Sequence, residues 1–129
     1  MKIIFLDDSN IVLETLQMLM DNVTDAIDTF FYKDAKEILK LLELDNLEFD
    51  ILFSEILFNN LDGMNLITII KENPKFKDKK VVIITKENDK KKIDALKYLG
   101  IKEVFTKSIY SNHLEVFLNN IIRQEMRVL

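Results

Sequence analysis

The chain has 129 residues, a net charge of −4, 48% hydrophobic and 31% charged residues, which leads us to expect one soluble domain over 1–129 with a core of its own. Its acidity argues against direct nucleic-acid binding by this domain, and the absence of cysteine removes disulfides, zinc thiolate sites and thiol catalysis. The start, "MKIIFLDDSN", is too short for a signal-peptide core and no apolar run reaches membrane-spanning length, so no membrane partner and a cytoplasmic setting are expected.

The first predicted strand is Ile3–Leu6, closed by Asp7 and Asp8. Ser9 then caps a helix on which Ile11, Leu13, Leu16, Leu19 and Met20 are expected to share one apolar face. A looser run, Ala26–Tyr32, is the second strand, and Asp34 with Glu37 reads as a capping box for a helix with Ile38, Leu41, Leu42 and Leu44 on one face. Ile51–Phe53 is a buried third strand ending in Glu55, followed by a loop to Asp62-Gly63. Asp62 caps the next helix, with Leu66, Ile69 and Ile70, and Asn73-Pro74 stops it.

Val81–Ile84 is the fourth strand and leads to Thr85. A helix with Ile93, Leu96 and Leu99 follows, closed by Gly100 as a left-handed cap. Val104–Phe105 is the fifth strand, ending in Lys107. Asn112 with Glu115 opens the last helix, with Leu114, Phe117, Leu118, Ile121 and Ile122; Phe117 and Ile121 are assigned either to the core or to a dimer face. Strand-like runs alternating with helical periods give five βα units, a doubly wound α/β domain with a parallel sheet.

Ligand sites in such sheets lie beyond the carboxyl ends of the strands. Asp7 and Asp8, Glu55, Thr85 and Lys107 bring polar groups to that edge from four of the five strands. Taken singly, each is a helix cap or a solvated strand end. Together, Asp7, Asp8 and Glu55 would repel one another without a cation, and their hard oxygens suit Mg²⁺. Asp50 precedes the third run and is expected at the opposite end.

These residues resemble the receiver domains of two-component response regulators over Met1 to about Arg123. "FLDDSN" is similar to the acidic pair that holds Mg²⁺ in the family, and "FDILFSEILFNNLDGM" to the strand, phosphoacceptor, loop and Asp-Gly pattern. "VVIIT" and "EVFTK" resemble the strands carrying the switch threonine, Thr85, and the pocket lysine, Lys107. The resemblance implies a flavodoxin-like (βα)5 fold with strand order 2-1-3-4-5 and helices on both faces. It also implies a signalling domain, not an enzyme, that meets a histidine kinase or effector through the face of the fourth helix, fifth strand and fifth helix.

The departures matter most. Glu55 stands where the family has the phosphoacceptor aspartate, which moves the carboxylate by roughly 1.5 Å, one C–C bond. Ser108 follows Lys107 where the family usually has proline after a cis bond, predicting either a trans bond or a strained cis one. Phe58-Asn59 replaces Met-Pro, and Lys86 replaces a small residue, where it would shield the pocket, pair with Glu55 or stay solvated. Val104 aligns with the switch aromatic, while Phe105, one position on, should point to the other face. The expected function is an atypical, phosphorylation-independent receiver in a fixed state, with Glu55 imitating a phosphorylated aspartate or the pocket inert.

Four other readings compete: a working phosphoswitch, an FMN binder on the same topology, a phosphatase of the haloacid dehalogenase type, and the N-terminal part of a longer DNA-binding regulator. Two negative charges in "DDSN" disfavour a phosphate loop, and Ser9 stands where the phosphatase wants its second aspartate. Lys75, Lys77, Lys79, Lys80, Lys86 and Lys90 to Lys92 are expected to make one edge basic, as a solvated face or for an acidic partner. His113 is expected at the surface.

Overall fold

The computed structural model describes residues 1–21, 26–107 and 111–128, without the side chains of 111, 112 and 128. Five parallel strands, β1 (Lys2–Leu6), β2 (Asp28–Tyr32), β3 (Ile51–Ser54), β4 (Lys80–Thr85) and β5 (Val104–Thr106), form one sheet in the order 2-1-3-4-5. Five helices connect and cover them: α1 (Asn10–Met20), α2 (Ala35–Glu43), α3 (Gly63–Glu72), α4 (Lys90–Tyr98) and α5 (Ser111–Val128). The expected fold class and strand order are what the chain adopts.

Strand alternation builds two cores. Ile4, Leu6, Leu52 and Ile83 face α2, α3 and α4, where they meet Ile38, Leu66, Ile67 and Leu96. Ile3, Phe5, Ile51 and Phe53 face α1 and α5, meeting Leu16, Leu118 and Ile122. Phe5 stacks between Phe31 and Phe53, at centroid distances of 5.1 and 4.9 Å. Phe117 rests on Phe105 and Ile121 is buried, so both belong to the core.

Local chemistry sets the boundaries. Ser9 Oγ accepts from the Val12 N–H, Asp34 from the Lys36 N–H and Asp62 from the Asn65 N–H, each satisfying an orphan donor of a first turn. Gly100, at φ 88°, closes α4 in the left-handed conformation expected of it. Asn73 and Pro74 do more than end α3: they open a 3-10 turn, Pro74–Phe76, that buries Phe76 against Phe49. The Asn112 cap falls outside the described side chains.

Three helix-face assignments need correction. Ile11 is 77% exposed, and Leu44 lies past the end of α2 in solvent. In α3 the buried set is Leu66, Ile67 and Ile70, with Ile69 turned outward. The lysines do not share one edge either. Lys75 to Lys80 lead into β4 and Lys86 to Lys92 follow it, so six residues of strand, roughly 20 Å, separate the two groups. Lys75, Lys79 and Lys80 pair there with Asp45, Asp50 and Glu103.

Candidate functional site

Backbone pairing carries the polar side chains one step past each strand. The Asp7 N–H donates to Tyr32 O, the Glu55 N–H to Leu6 O and the Lys107 N–H to Thr85 O, continuing the ladder beyond the apolar runs. Asp7, Glu55 and Thr85 are buried there, and Lys107 nearly so. Asp50 lies at the other end of β3, where it accepts from the Lys2 N–H and pairs with Lys79.

The Glu55 carboxylate is saturated. Its Oε1 accepts from the Ile56 N–H at 2.7 Å, the Leu57 N–H at 3.1 Å and the Thr85 hydroxyl. Its Oε2 accepts from the Lys107 ammonium at 2.8 Å and the Lys86 N–H at 3.1 Å. Five donors thus converge on one buried anion. Burial alone would push this carboxyl up, but Lys107, Thr85 and the Ile56 N–H outweigh it and hold it below the usual glutamate range.

Lys107 also reaches Asp7 Oδ2 at 2.5 Å, while Asp7 Oδ1 accepts from the Ser9 N–H at 2.9 Å. Burial dominates at Asp7 and raises its pKa despite the lysine. Burial disfavours the Lys107 ammonium, yet the two carboxylates overcome it and raise the lysine above its ordinary value. Asp8 takes a different partner, the Asn59 N–H at 3.3 Å.

Mg²⁺ is the ion that the acidic set suggested. Of the six carboxylate oxygens on Asp7, Asp8 and Glu55, five accept a protein hydrogen bond, and an ammonium already bridges two of the three carboxylates. Among the described residues no three His, Cys, Asp or Glu side chains converge as a metal-binding group. As arranged, the Lys107 ammonium supplies the positive charge between Asp7 and Glu55, and Asp8 Oδ1 is the one carboxylate oxygen of the three side chains with no protein donor among the described residues.

Lys86 meets Glu55 through its backbone; its side chain is exposed. The bond between Lys107 and Ser108 lies outside the described residues. Val104 packs towards α4 while Phe105 packs on Phe117, so the two residues occupy opposite faces of β5. Sequence reasoning missed the backbone donors Ile56 and Leu57, which no residue type could have signalled. It also missed a relay in which the Glu87 N–H donates to Thr85 Oγ1 at 3.0 Å and the Glu87 carboxylate pairs with Lys92 at 2.8 Å.

Thr85 is the fully buried link in that relay, a donor to Glu55 and an acceptor from Glu87. Thr85→Val keeps the volume and removes both bonds. It should lower the unfolding free energy by about 1–3 kcal/mol in urea titration, with Thr85→Ser recovering most of it. Equal stability of wild type and Thr85→Val would sink this account.

No curated protein matches the sequence. The fold is similar to that of the phosphorylated cyanobacterial phytochrome response regulator RcpA, with a TM-score of 0.86 and 19% identity over 99% of this chain and 95% of that one. It is also similar to the Mn²⁺-bound response regulator Rcp1, at 0.83 and 19% over 93% and 90%. The chemotaxis response regulator CheY4 of Vibrio cholerae gives 0.75 and 15% over 96% and 97%. At such identities the likeness is one of fold. The sequence itself goes further: residues 3–119 match the model of the response regulator receiver domain, and with the acidic pair, the Asp-Gly loop, the threonine and the lysine in place, the chain belongs to that family of two-component signalling domains.

Proposed function

We propose that this receiver is held in one state by Glu55 and acts as a phosphorylation-independent protein-interaction module. The observation that carries the reading is the donor set on the Glu55 carboxylate. In the family, the threonine and lysine contact the phosphoryl group. Here Thr85 and Lys107 are engaged by the side chain itself, which places permanent negative charge among the donors that a phosphoryl group would use. The extra methylene makes this reach possible and spoils in-line attack, where misplacement near 1 Å costs about 100-fold.

One departure from the family pattern and one retained residue support the same reading. Asn59 stands where proline is usual, and its N–H ties the β3–α3 loop to Asp8, a bond proline cannot make. Lys107 supplies the positive charge between Asp7 and Glu55. Receiver domains generally bind Mg²⁺, and in this reading the native pocket does without it. Val104 is too small to act as a switch aromatic. Its partner, a histidine kinase or a downstream effector, meets the α4–β5–α5 face, where Tyr98 and Val116 are exposed.

Intact mass after incubation with acetyl phosphate and Mg²⁺ tests the proposal, with the native chain and Glu55→Asp side by side. The expected result is a phosphoryl adduct on the aspartate variant alone. Labelling of the native chain would make it a working phosphoswitch and end the fixed-state reading.

A further inference from the structure

We propose a second contact surface: the open edge of β2, with the groove between it and α1, takes up a basic, extended segment of a partner protein as a further strand of the sheet. The inference does not rest on the fixed-state reading, since no residue of this groove bonds to Glu55. The groove has a volume of about 520 Å³, with Met18, Met20 and Phe31 as its apolar lining. That volume lies within the range of about 300–1,000 Å³ over which clefts take up a ligand group.

Backbone geometry selects a strand. β2 lies at the edge of the sheet, where the Asp28 N–H donates to Met1 O and Tyr32 O accepts from the Asp7 N–H. Alternation then turns the N–H and C=O groups of Thr29 and Phe31 away from β1, and no strand among the described residues meets them. Edges are ordinarily kept short or guarded by lysine or proline. β5, at the other edge, has three residues; β2 has five, three of them aromatic, with neither lysine nor proline. Thr29 and Phe31 pair with Ile3 and Phe5, which puts their side chains on the α1 face, beside Met18 and Met20.

Charge selects the sign of the occupant. Glu14 and Asp21 are the charged residues lining the groove; both are exposed, and neither enters an ion pair among the described residues. Residues 3–32 hold six acidic side chains and no lysine or arginine, so the net charge of −4 arises in this stretch and the rest of the chain is positive. Of the cations beside β2, Lys2 lies over Phe30 on the opposite face, the N-terminal ammonium donates to Ala26 O, and Lys33 follows the strand. A second copy of this chain would set Glu14 and Asp21 against their own like charges, which disfavours self-pairing. The fitting segment therefore offers alternate apolar residues to Met18, Met20 and Phe31, and lysine or arginine at its ends to Glu14 and Asp21.

The test uses the full chain, ¹⁵N-labelled, and two peptides of about eight residues with the same alternating Val-Thr centre, one flanked by lysine and the other by glutamate. The basic peptide is expected to shift the amides of 17–21 and 28–32 and to bind roughly tenfold more tightly than the acidic one. At saturation the Thr29 and Phe31 amide hydrogens should exchange about tenfold more slowly, because the added strand accepts from them. Glu14→Lys with Asp21→Lys should reverse the preference between the peptides. Lysine matches glutamate as a helix former and suits the C-terminal end of α1, so folding is not at risk. Equal binding of both peptides, shifts centred on Tyr98 and Val116, no shifts at all, or unchanged exchange at Thr29 and Phe31 would overturn the strand addition.

Discussion

Replacing Lys107 by methionine should destabilise the fold by about 3 kcal/mol at neutral pH, read as a shift in urea midpoint at unchanged slope. Methionine keeps most of the stem and its packing but removes the one cation that, among the described residues, touches both Asp7 and Glu55. Two buried carboxylates are then left facing each other. Partial exposure of Lys107 keeps the figure at the low end for a broken buried pair. Adding Glu55→Gln to Lys107→Met should recover part of the loss, because the amide brings no charge needing compensation. No recovery would mean that the lysine acts through its packing and not its charge.

The same variant should have a distinctive pH dependence. Glu55 has a lowered pKa in the fold, so its contribution is present above the ordinary glutamate value and is lost as pH falls through the folded one. Lys107 has a raised pKa, so its contribution is complete below the ordinary lysine value and is lost as pH rises through the folded one. Asp7 runs the other way: its raised pKa means that acid relieves a strain on the native state. Without the lysine, burial raises both carboxyls, and protonation then stabilises the variant over a range in which the wild type keeps its Glu55 contribution whole. The gap between the two should narrow from about pH 8 to pH 5, and a constant gap would refute the charge-triad account.

What the sequence made legible follows from how local each feature is. Strand ends, helix caps at Ser9, Asp34 and Asp62, and the left-handed Gly100 depend on a few neighbouring residues, and these are where expectation and structure meet. The exposure of Ile11 was also readable: it lies two residues before Leu13, about 200° around the helix, so the pair cannot share a face. The basic edge was misjudged because linear proximity hid the strand running between its halves. At the site, residue types revealed which groups converge but not how Glu55 would be satisfied. Three of its five donors are backbone N–H groups of Ile56, Leu57 and Lys86, which every sequence supplies and only the loop path aims. The role of Asn59 was visible only as a missing proline; the bond it makes to Asp8 required the fold.

Gly63→Ala should be the more disruptive of the two glycine-to-alanine substitutions, for reasons of space. A Cβ built at Gly63 would lie 2.0 Å from Ile56 O and 2.6 Å from Ile56 C, both backbone atoms. Nothing flexible can yield, so either the start of α3 or the β3–α3 loop must move. Leu57 and Asp62 bridge that loop, and the Ile56 and Leu57 N–H groups hold Glu55, so displacement reaches the buried carboxylate directly. Overpacking of this kind costs about 1–3 kcal/mol, and here the weakened Glu55 bonds place the expected loss at the upper end. Gly100 is the informative contrast: its nearest neighbour is a Lys71 side-chain carbon at 3.8 Å, so alanine there meets a backbone penalty of about 1–2 kcal/mol and no clash. Amide spectra separate the mechanisms. Gly63→Ala should move the Ile56, Leu57 and Lys86 resonances, and Gly100→Ala should leave them in place. If Gly63→Ala keeps both the wild-type stability and those three resonances, the close approach of α3 to the loop is wrong, and with it the argument that Asp62-Gly63 exists to fix the geometry around Glu55.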